Sequence, residues 1–266
     1  MLVISQRRSG RVRVRYDSGP VGTTETVESY FCSMLRRIFS PVSTRAFTKI
    51  SKRAHTARRV CFVPAESSAV PVEVRSLIEE HTECVDLAHL FEVEDPLRVQ
   101  LITPKCPLFH AHPSNSPFEL DPFWAICWPG SFGLGRYIVD NPEVVSGKRV
   151  LDFAAGCGVA AILAARLGAD SVCANEIDLL AIHACNMNAL EHNKLQGNDA
   201  AVVDMVDNTD AGAVRASWST CSDNLVGDVA TVVEHFDVVL AGDVCYEEAL
   251  AAEVSTWFRS LANEGV

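Results

Sequence analysis

No apolar run in this 266-residue chain approaches the roughly 18 residues of a helical membrane span, so the sequence offers no membrane-spanning helix. Its 10 cysteines include no C-x-x-C pair and no histidine partners at zinc-finger spacing. Neither a metal site nor a disulfide framework is indicated, and thiols scattered in this way suit a reducing compartment. Basic residues are scarce beyond residue 60. The first 60 residues hold 13 Lys and Arg against 3 acidic residues, which leaves −21 of the overall −11 for the remainder. A body that acidic repels nucleic acid phosphates and favours small-molecule or basic protein partners.

Acidic residues are in turn absent from residues 29–65, where eight Lys and Arg stand among serines and threonines. That is the composition of a mitochondrial transit peptide, with Leu35, Ile38, Phe39 and Val42 at the spacing of one helical face, although Pro41 interrupts the helix early. Met34 opens the most presequence-like part, so translation is expected to start there, and the bland alternative is a disordered basic tail. The expected organisation is a basic extension over 1–65, a helical and irregular segment over 66–122, and a cofactor-binding domain over 123–266. Within the second segment Pro71 is expected at the first position of a helix reaching residue 81. His110 and His112 sit two apart in a Pro-rich connection, and with no third ligand nearby they read as solvated.

The chain is organised around residues 149–178, RVLDFAAGCGVAAILAARLGADSVCANEID. A short apolar run leads through a small-residue turn into a helical pattern, and a second apolar run ends at Glu176 and Asp178, giving one βαβ unit. Glycines at 156 and 158 let backbone N–H groups approach a ligand, and a carboxylate about 20 residues later suits ribose hydroxyls. The unit reads as a nucleoside-cofactor site. Before it stands an aromatic cluster. Phe123 and Trp124 are expected to pack on the sheet, whereas Trp128, just before a helix, is placed to face the cofactor. After it come a helix from residue 179, a third strand over residues 200–203 ending at Asp204, and an irregular polar stretch over 208–235. A fourth strand over 236–241 delivers Asp243 and Tyr246 at its carboxyl end, the end at which open parallel sheets bind ligands. A dinucleotide fingerprint starting at Gly156 tolerates Ala161 in its third position, so a dehydrogenase stays open on the turn alone.

Together the stretches RVQLITPKCP, DPFWAICWPGSFGLGRYIVDNP, VLDFAAGCG, ANEID and FDVVLAGDVCYEE closely resemble the electron transfer flavoprotein β-subunit lysine methyltransferases, over roughly residues 97–262. These are class I, seven-stranded enzymes that use S-adenosylmethionine. The resemblance implies an α/β fold with a Rossmann-like doubly wound class I methyltransferase sheet. It also implies that Asp152, Gly156 and Gly158 frame the methionine and ribose parts of the cofactor, with Glu176 on the ribose hydroxyls and Asp178 as second choice. Ala154 stands where many class I enzymes have glycine, and Asp204, with Asp207 as second choice, is placed toward the adenine amine. The stretch Asp243-x-x-Tyr246 resembles a post-strand motif of lysine methyltransferases. Asp243 would hold the substrate ammonium and Tyr246 orient it, whereas the bland role for Asp243 is a helix N-cap. Implied partners are S-adenosylmethionine and a protein substrate, the electron transfer flavoprotein β subunit, in the mitochondrial matrix. Another protein, such as a ribosomal one, is the enzyme alternative. The family fold has three further strands after the fourth-strand helix, so the sheet is expected to lack its carboxyl-terminal strands, with one edge open. A fragment, a misread gene product or a truncated, inactive cofactor-binding form are the readings of that end.

Overall fold

The computed structural model describes residues 2–6 and 12–15 as backbone, and residues 60–64, 69–112, 115–195 and 216–266 with their side chains. Strands β1 (Leu2–Gln6) and β2 (Val12–Arg15) form an antiparallel pair. They are followed by β3 (Val63–Pro64), helix α1 (Val72–His81), and an antiparallel hairpin of β4 (Glu83–Asp86) and β5 (Arg98–Leu101). A strict alternation then begins with α2 (Pro129–Asp140), β6 (Arg149–Phe153), α3 (Val159–Arg166), β7 (Ser171–Asn175) and α4 (Leu179–Asn186). A π-helical turn, Met187–His192, extends α4, and β8 (Ser217–Cys221), α5 (Val229–His235), β9 (Val238–Ala241) and α6 (Glu248–Glu264) complete the series.

Strands β9, β6, β7 and β8 lie side by side in that order and parallel. Strands buried on both faces read as continuous apolar runs, and these do. Val150, Val172, Ala174, Trp218, Val238 and Leu240 face one core with α2 and α3. The alternate residues Leu151, Phe153, Cys173, Cys221, Val239 and Ala241 face a second core with α5 and α6. Helix α3 is apolar all round, and its residues Val159 through Ala165 are all buried, as expected of a helix sandwiched between a sheet and a neighbouring helix. Pro129 at the first position of α2 and Pro142 just beyond its end set the limits of that helix.

The chain runs from β6 outward to β7 and β8, then returns to the other side of β6 as β9. The reversal opens a crevice between the carboxyl ends of β6 and β9, the place where such sheets bind ligands. The register brings the four ends to one level: Phe153 pairs with Ala241 on one side and Asn175 on the other, and Asn175 pairs with Cys221. Ala154, Glu176 and Gly242 therefore leave the sheet together.

Several expectations are corrected. The third parallel strand is Ser217–Cys221, inside the stretch expected to be irregular, and α5 also falls there. Its sequence, SWSTC, hides the strand because alternate residues are serine. Trp218 is 1% exposed, and its indole N–H donates to Asn186 Oδ1 at 2.9 Å. The predicted strand at 200–203, with Asp204 and Asp207, lies outside the described residues, as does most of residues 29–65. The expected open edge beyond β9 is taken by β1, with Leu2 opposite Ala241 and Ser5 opposite Val238. Trp124 packs on α4 and the π turn with Phe118, Ala181, Ala184 and Met187 rather than on the sheet, and Phe123 stands edge-on to Trp128 at 6.0 Å. Pro71 is the N-cap of α1, one position earlier than expected.

Candidate functional site

The turn after β6 is left-handed at alternate residues, with φ of 53° at Ala154, 56° at Gly156 and 77° at Gly158. Glycine adopts this conformation freely and alanine does not, so Ala154 carries backbone strain at the first position of the cradle. The turn is closed by Gly158 N–H donating to Ala155 C=O at 2.9 Å, while Ala155 N–H donates to Asn175 C=O at 3.0 Å on the next strand.

The acidic residues separate into distinct positions. Asp152 is 3% exposed and accepts from Ala161 N–H at 3.0 Å, in the first turn of α3, so it supports the glycine turn from beneath. Burial first, then repulsion from Glu176, raises its carboxyl to about 7 against the opposing Ala161 bond. Glu176, at the end of β7, reaches back across the crevice: one carboxylate oxygen accepts from Gly156 N–H at 3.3 Å, the other from Ile177 N–H at 2.8 Å. Its carboxyl is also raised, chiefly by burial. Asp178 is instead the N-cap of α4, accepting from Leu180 N–H at 2.8 Å. Of the two carboxylates proposed for the ribose, Glu176 faces the turn and Asp178 is committed to the helix.

Across the crevice, Asp243 follows β9 and accepts from Gly130 N–H at the start of α2. A Cβ at Gly130 would stand 2.6 Å from Asp243 Oδ2 and 2.8 Å from Cγ, so this contact requires glycine. Asp243 therefore touches a helix N-terminus, but that of α2, not of the helix that follows it. Trp128 is the N-cap of α2, and its indole N–H donates to Phe123 C=O at 2.9 Å, which fixes the ring beside this contact. Tyr246 is 54% exposed, and its hydroxyl is raised by burial and by the negative charge of Glu176 and Glu247. The residues predicted at 128, 152, 154, 156, 158, 176, 243 and 246 thus gather at the carboxyl ends of β6, β7 and β9.

Sequence reading missed three kinds of residue here. Gly130 is needed for the Asp243 contact, and its only signal was the Trp-Pro-Gly step into α2. Ile177 and Leu179 are exposed apolar side chains just after Glu176, at 44% and 64%. Cys185 and Asn188 hold the turn from behind: the Cys185 thiol donates to Gly156 C=O and Asn188 Nδ2 to Cys157 C=O, at 3.0 and 2.9 Å. Their three-residue spacing on one helix was the available clue.

Asp152, Glu176, Asp178 and Asp243 bring four carboxylates to these strand ends. Among the described residues none of them has an ion-pair partner; the ion pairs involve Arg75, Lys105, Arg136 and Arg149 elsewhere. Such a crevice is suited to cations. Among the described residues, no group of three or more His, Cys, Asp or Glu is arranged to hold a metal ion.

The family profile described as "Ribosomal protein L11 methyltransferase (PrmA)" matches residues 138–239. The electron transfer flavoprotein beta subunit lysine methyltransferase of Danio rerio is 33% identical over 230 residues, covering 86% of this chain and 78% of the relative. The Xenopus laevis protein of the same name is 33% identical over 208 residues, 77% and 71% of the two chains, and that of Homo sapiens 33% over 187 residues, 70% and 61%.

Proposed function

Because the chain belongs to the electron transfer flavoprotein β-subunit lysine methyltransferase family, we propose that it moves a methyl group from S-adenosylmethionine to a lysine of a protein, the electron transfer flavoprotein β subunit. The observation that carries this reading is the set of four carboxylates around a glycine turn that have no ion-pair partner among the described residues. Both reactants are cations, a sulfonium and an ammonium.

The residues present fit the cofactor. The left-handed turn at Gly156 and Gly158 leaves room for close approach, and Glu176 offers carboxylate oxygens to ribose hydroxyls. Ile177 supplies an apolar surface for a flat base. Asp152 supports the turn through α3 and adds negative charge beneath it. When bound, S-adenosylmethionine supplies a methyl group on positively charged sulfur, which an amine lone pair accepts by in-line displacement.

The chain's own task is to present that lone pair. Lysine has a pKa near 10.4, so only about one side chain in 2,500 is neutral at pH 7. Asp243, oriented by Gly130 N–H, has lone pairs left to accept from the ε-ammonium and hold its nitrogen in place. Tyr246 offers a hydroxyl for the same nitrogen, and fixing the approach of two reactants removes entropy from the barrier. Partial desolvation beside a sulfonium favours loss of the ammonium proton to solvent.

Incubation of the purified chain with labelled S-adenosylmethionine, offered the flavoprotein β subunit and ribosomal proteins in parallel, is the test. Label on a lysine of that subunit supports the reading, and label confined to a ribosomal protein rejects the substrate. Asp243→Ala is expected to abolish transfer while sparing cofactor affinity. The same reading places the protein in the mitochondrial matrix, with the signal in residues 29–65. Import of a fluorescent fusion, and its loss when that segment is removed, would check this.

A further inference from the structure

The π-helical turn at Met187–His192 holds one more residue per turn than an α-helix, an arrangement that is rare and concentrated at functional sites. Its wide bond runs from Asn193 N–H to Asn188 C=O, five residues back, at 3.1 Å. Asn188 is fully buried, and both ends of its amide are used. Nδ2 donates to Cys157 C=O in the glycine turn at 2.9 Å, and Oδ1 accepts from Gln100 N–H on β5 at 2.8 Å. One turn earlier the Cys185 thiol donates to Gly156 C=O at 3.0 Å. Two consecutive carbonyls of the turn are therefore held by one helix face.

A trans peptide points its C=O and N–H in opposite directions. Fixing the Gly156 carbonyl toward α4 turns the Cys157 N–H away from α4. Fixing the Cys157 carbonyl does the same for Gly158 N–H, which closes the turn on Ala155 C=O. The network continues outside the parallel sheet. Gln100 is 4% exposed; its Oε1 accepts from Thr82 Oγ1 at 2.9 Å, and its Nε2 meets His192 Nε2 at 3.0 Å. The β4–β5 hairpin thus reaches the turn through a single side chain.

We propose that Asn188, with Cys185, is a positioning residue that shapes the glycine turn for the cofactor and couples the β4–β5 hairpin to it. This rests on the reading that the turn binds S-adenosylmethionine. Neither residue touches the reacting atoms. Both act by presetting the direction of backbone N–H groups, so they set cofactor affinity rather than the chemical step.

The test compares Cys185→Ser, which keeps a donor, with Cys185→Ala, which removes it at nearly the same volume, and adds Asn188→Asp, which keeps the Gln100 contact but removes the donor to Cys157. Affinity for S-adenosylhomocysteine is measured by calorimetry, transfer kinetics are read for KM and kcat separately, and amide exchange is followed at residues 156–158. Expected are about 10-fold weaker binding for Cys185→Ala and Asn188→Asp, near-parental binding for Cys185→Ser, a raised KM for the cofactor with kcat kept, and faster exchange confined to the turn. Equal affinities for Cys185→Ala and Cys185→Ser, with unchanged exchange at the turn, overturn the proposal even where the parent binds the ligand. A parent that binds no S-adenosylhomocysteine overturns the cofactor reading and this inference with it. If Asn188→Asp does not fold, the Cys185 pair decides alone.

Discussion

Replacing Asp152 by asparagine separates the cost of a buried carboxylate from its use. Asparagine keeps an oxygen for the Ala161 N–H and does not titrate. The folded-state carboxyl of Asp152 stands at about 7, above the ordinary value, so the folded protein holds a proton that the unfolded chain releases near pH 4. Stability from this group is complete below about pH 4, falls as pH rises through 7, and is flat above that. A rise of about three units corresponds to roughly 4 kcal/mol across that window. The carboxylate is buried, so solvent does not screen this away. Urea unfolding of both proteins from pH 5 to pH 8 measures it. Between pH 5 and pH 8 the variant should gain about 3 kcal/mol on the parent, because about two of the roughly three units of that window lie above pH 5. Other titrating groups are common to both proteins and cancel in the difference. Parallel pH profiles would refute the claim that burial destabilises this carboxylate. The same charge should serve the cationic ligand: binding near pH 7 is expected to release protons from the parent, and the variant should bind more weakly at pH 8.

Gly130→Ala puts a Cβ 2.6 Å from Asp243 Oδ2, and a displacement approaching 1 Å at a reacting centre costs about 100-fold in rate. Transfer assays should show that loss in kcat while calorimetry shows cofactor affinity nearly kept; equal loss of both would contradict the division of roles. Ala154→Gly removes a left-handed alanine, worth roughly 1–2 kcal/mol, against about 0.4–1 kcal/mol of added unfolded-chain entropy. Chemical denaturation should therefore show a gain of up to about 1.5 kcal/mol. Glu176→Gln should weaken cofactor binding by about 10-fold through loss of a charged acceptor, and unchanged affinity would remove Glu176 from the ribose site.

Local chemistry made part of this structure legible in advance. The turn after β6 announced itself because small residues and glycines have few other uses between an apolar strand and an apolar helix. Asp243 and Tyr246 were recognisable for their place at a strand end. Glu176 and Asp178 lie two apart after the same strand, and spacing could not separate them. The distinction arises from where each side chain finds N–H donors, Gly156 in one case and the first turn of α4 in the other. Strand β8 was missed because Ser217 and Ser219 carry no apolar signal, and Trp218 is inside for reasons set by Asn186, 32 residues away. Gly130 and Asn188 escaped notice for a similar reason. Each matters through one contact with a residue distant in sequence, 113 positions in one case and 31 in the other.

Four strands that end at one level draw their ligand groups from chain segments separated by up to about ninety residues. No isolated βαβ fragment contains the full set, so tight binding reports on topology as well as on side chains. A molecule with β9 out of place would retain the glycine turn and Glu176 yet lose the wall that carries Asp243. Ligand at 100 times its dissociation constant stabilises the assembled form by about 2.7 kcal/mol. The fraction of a preparation protected from protease by S-adenosylhomocysteine would then count the molecules whose glycine turn and β7 end are assembled, and the fraction that also transfers methyl would count those with β9 in place, making the crevice a gauge of folding yield.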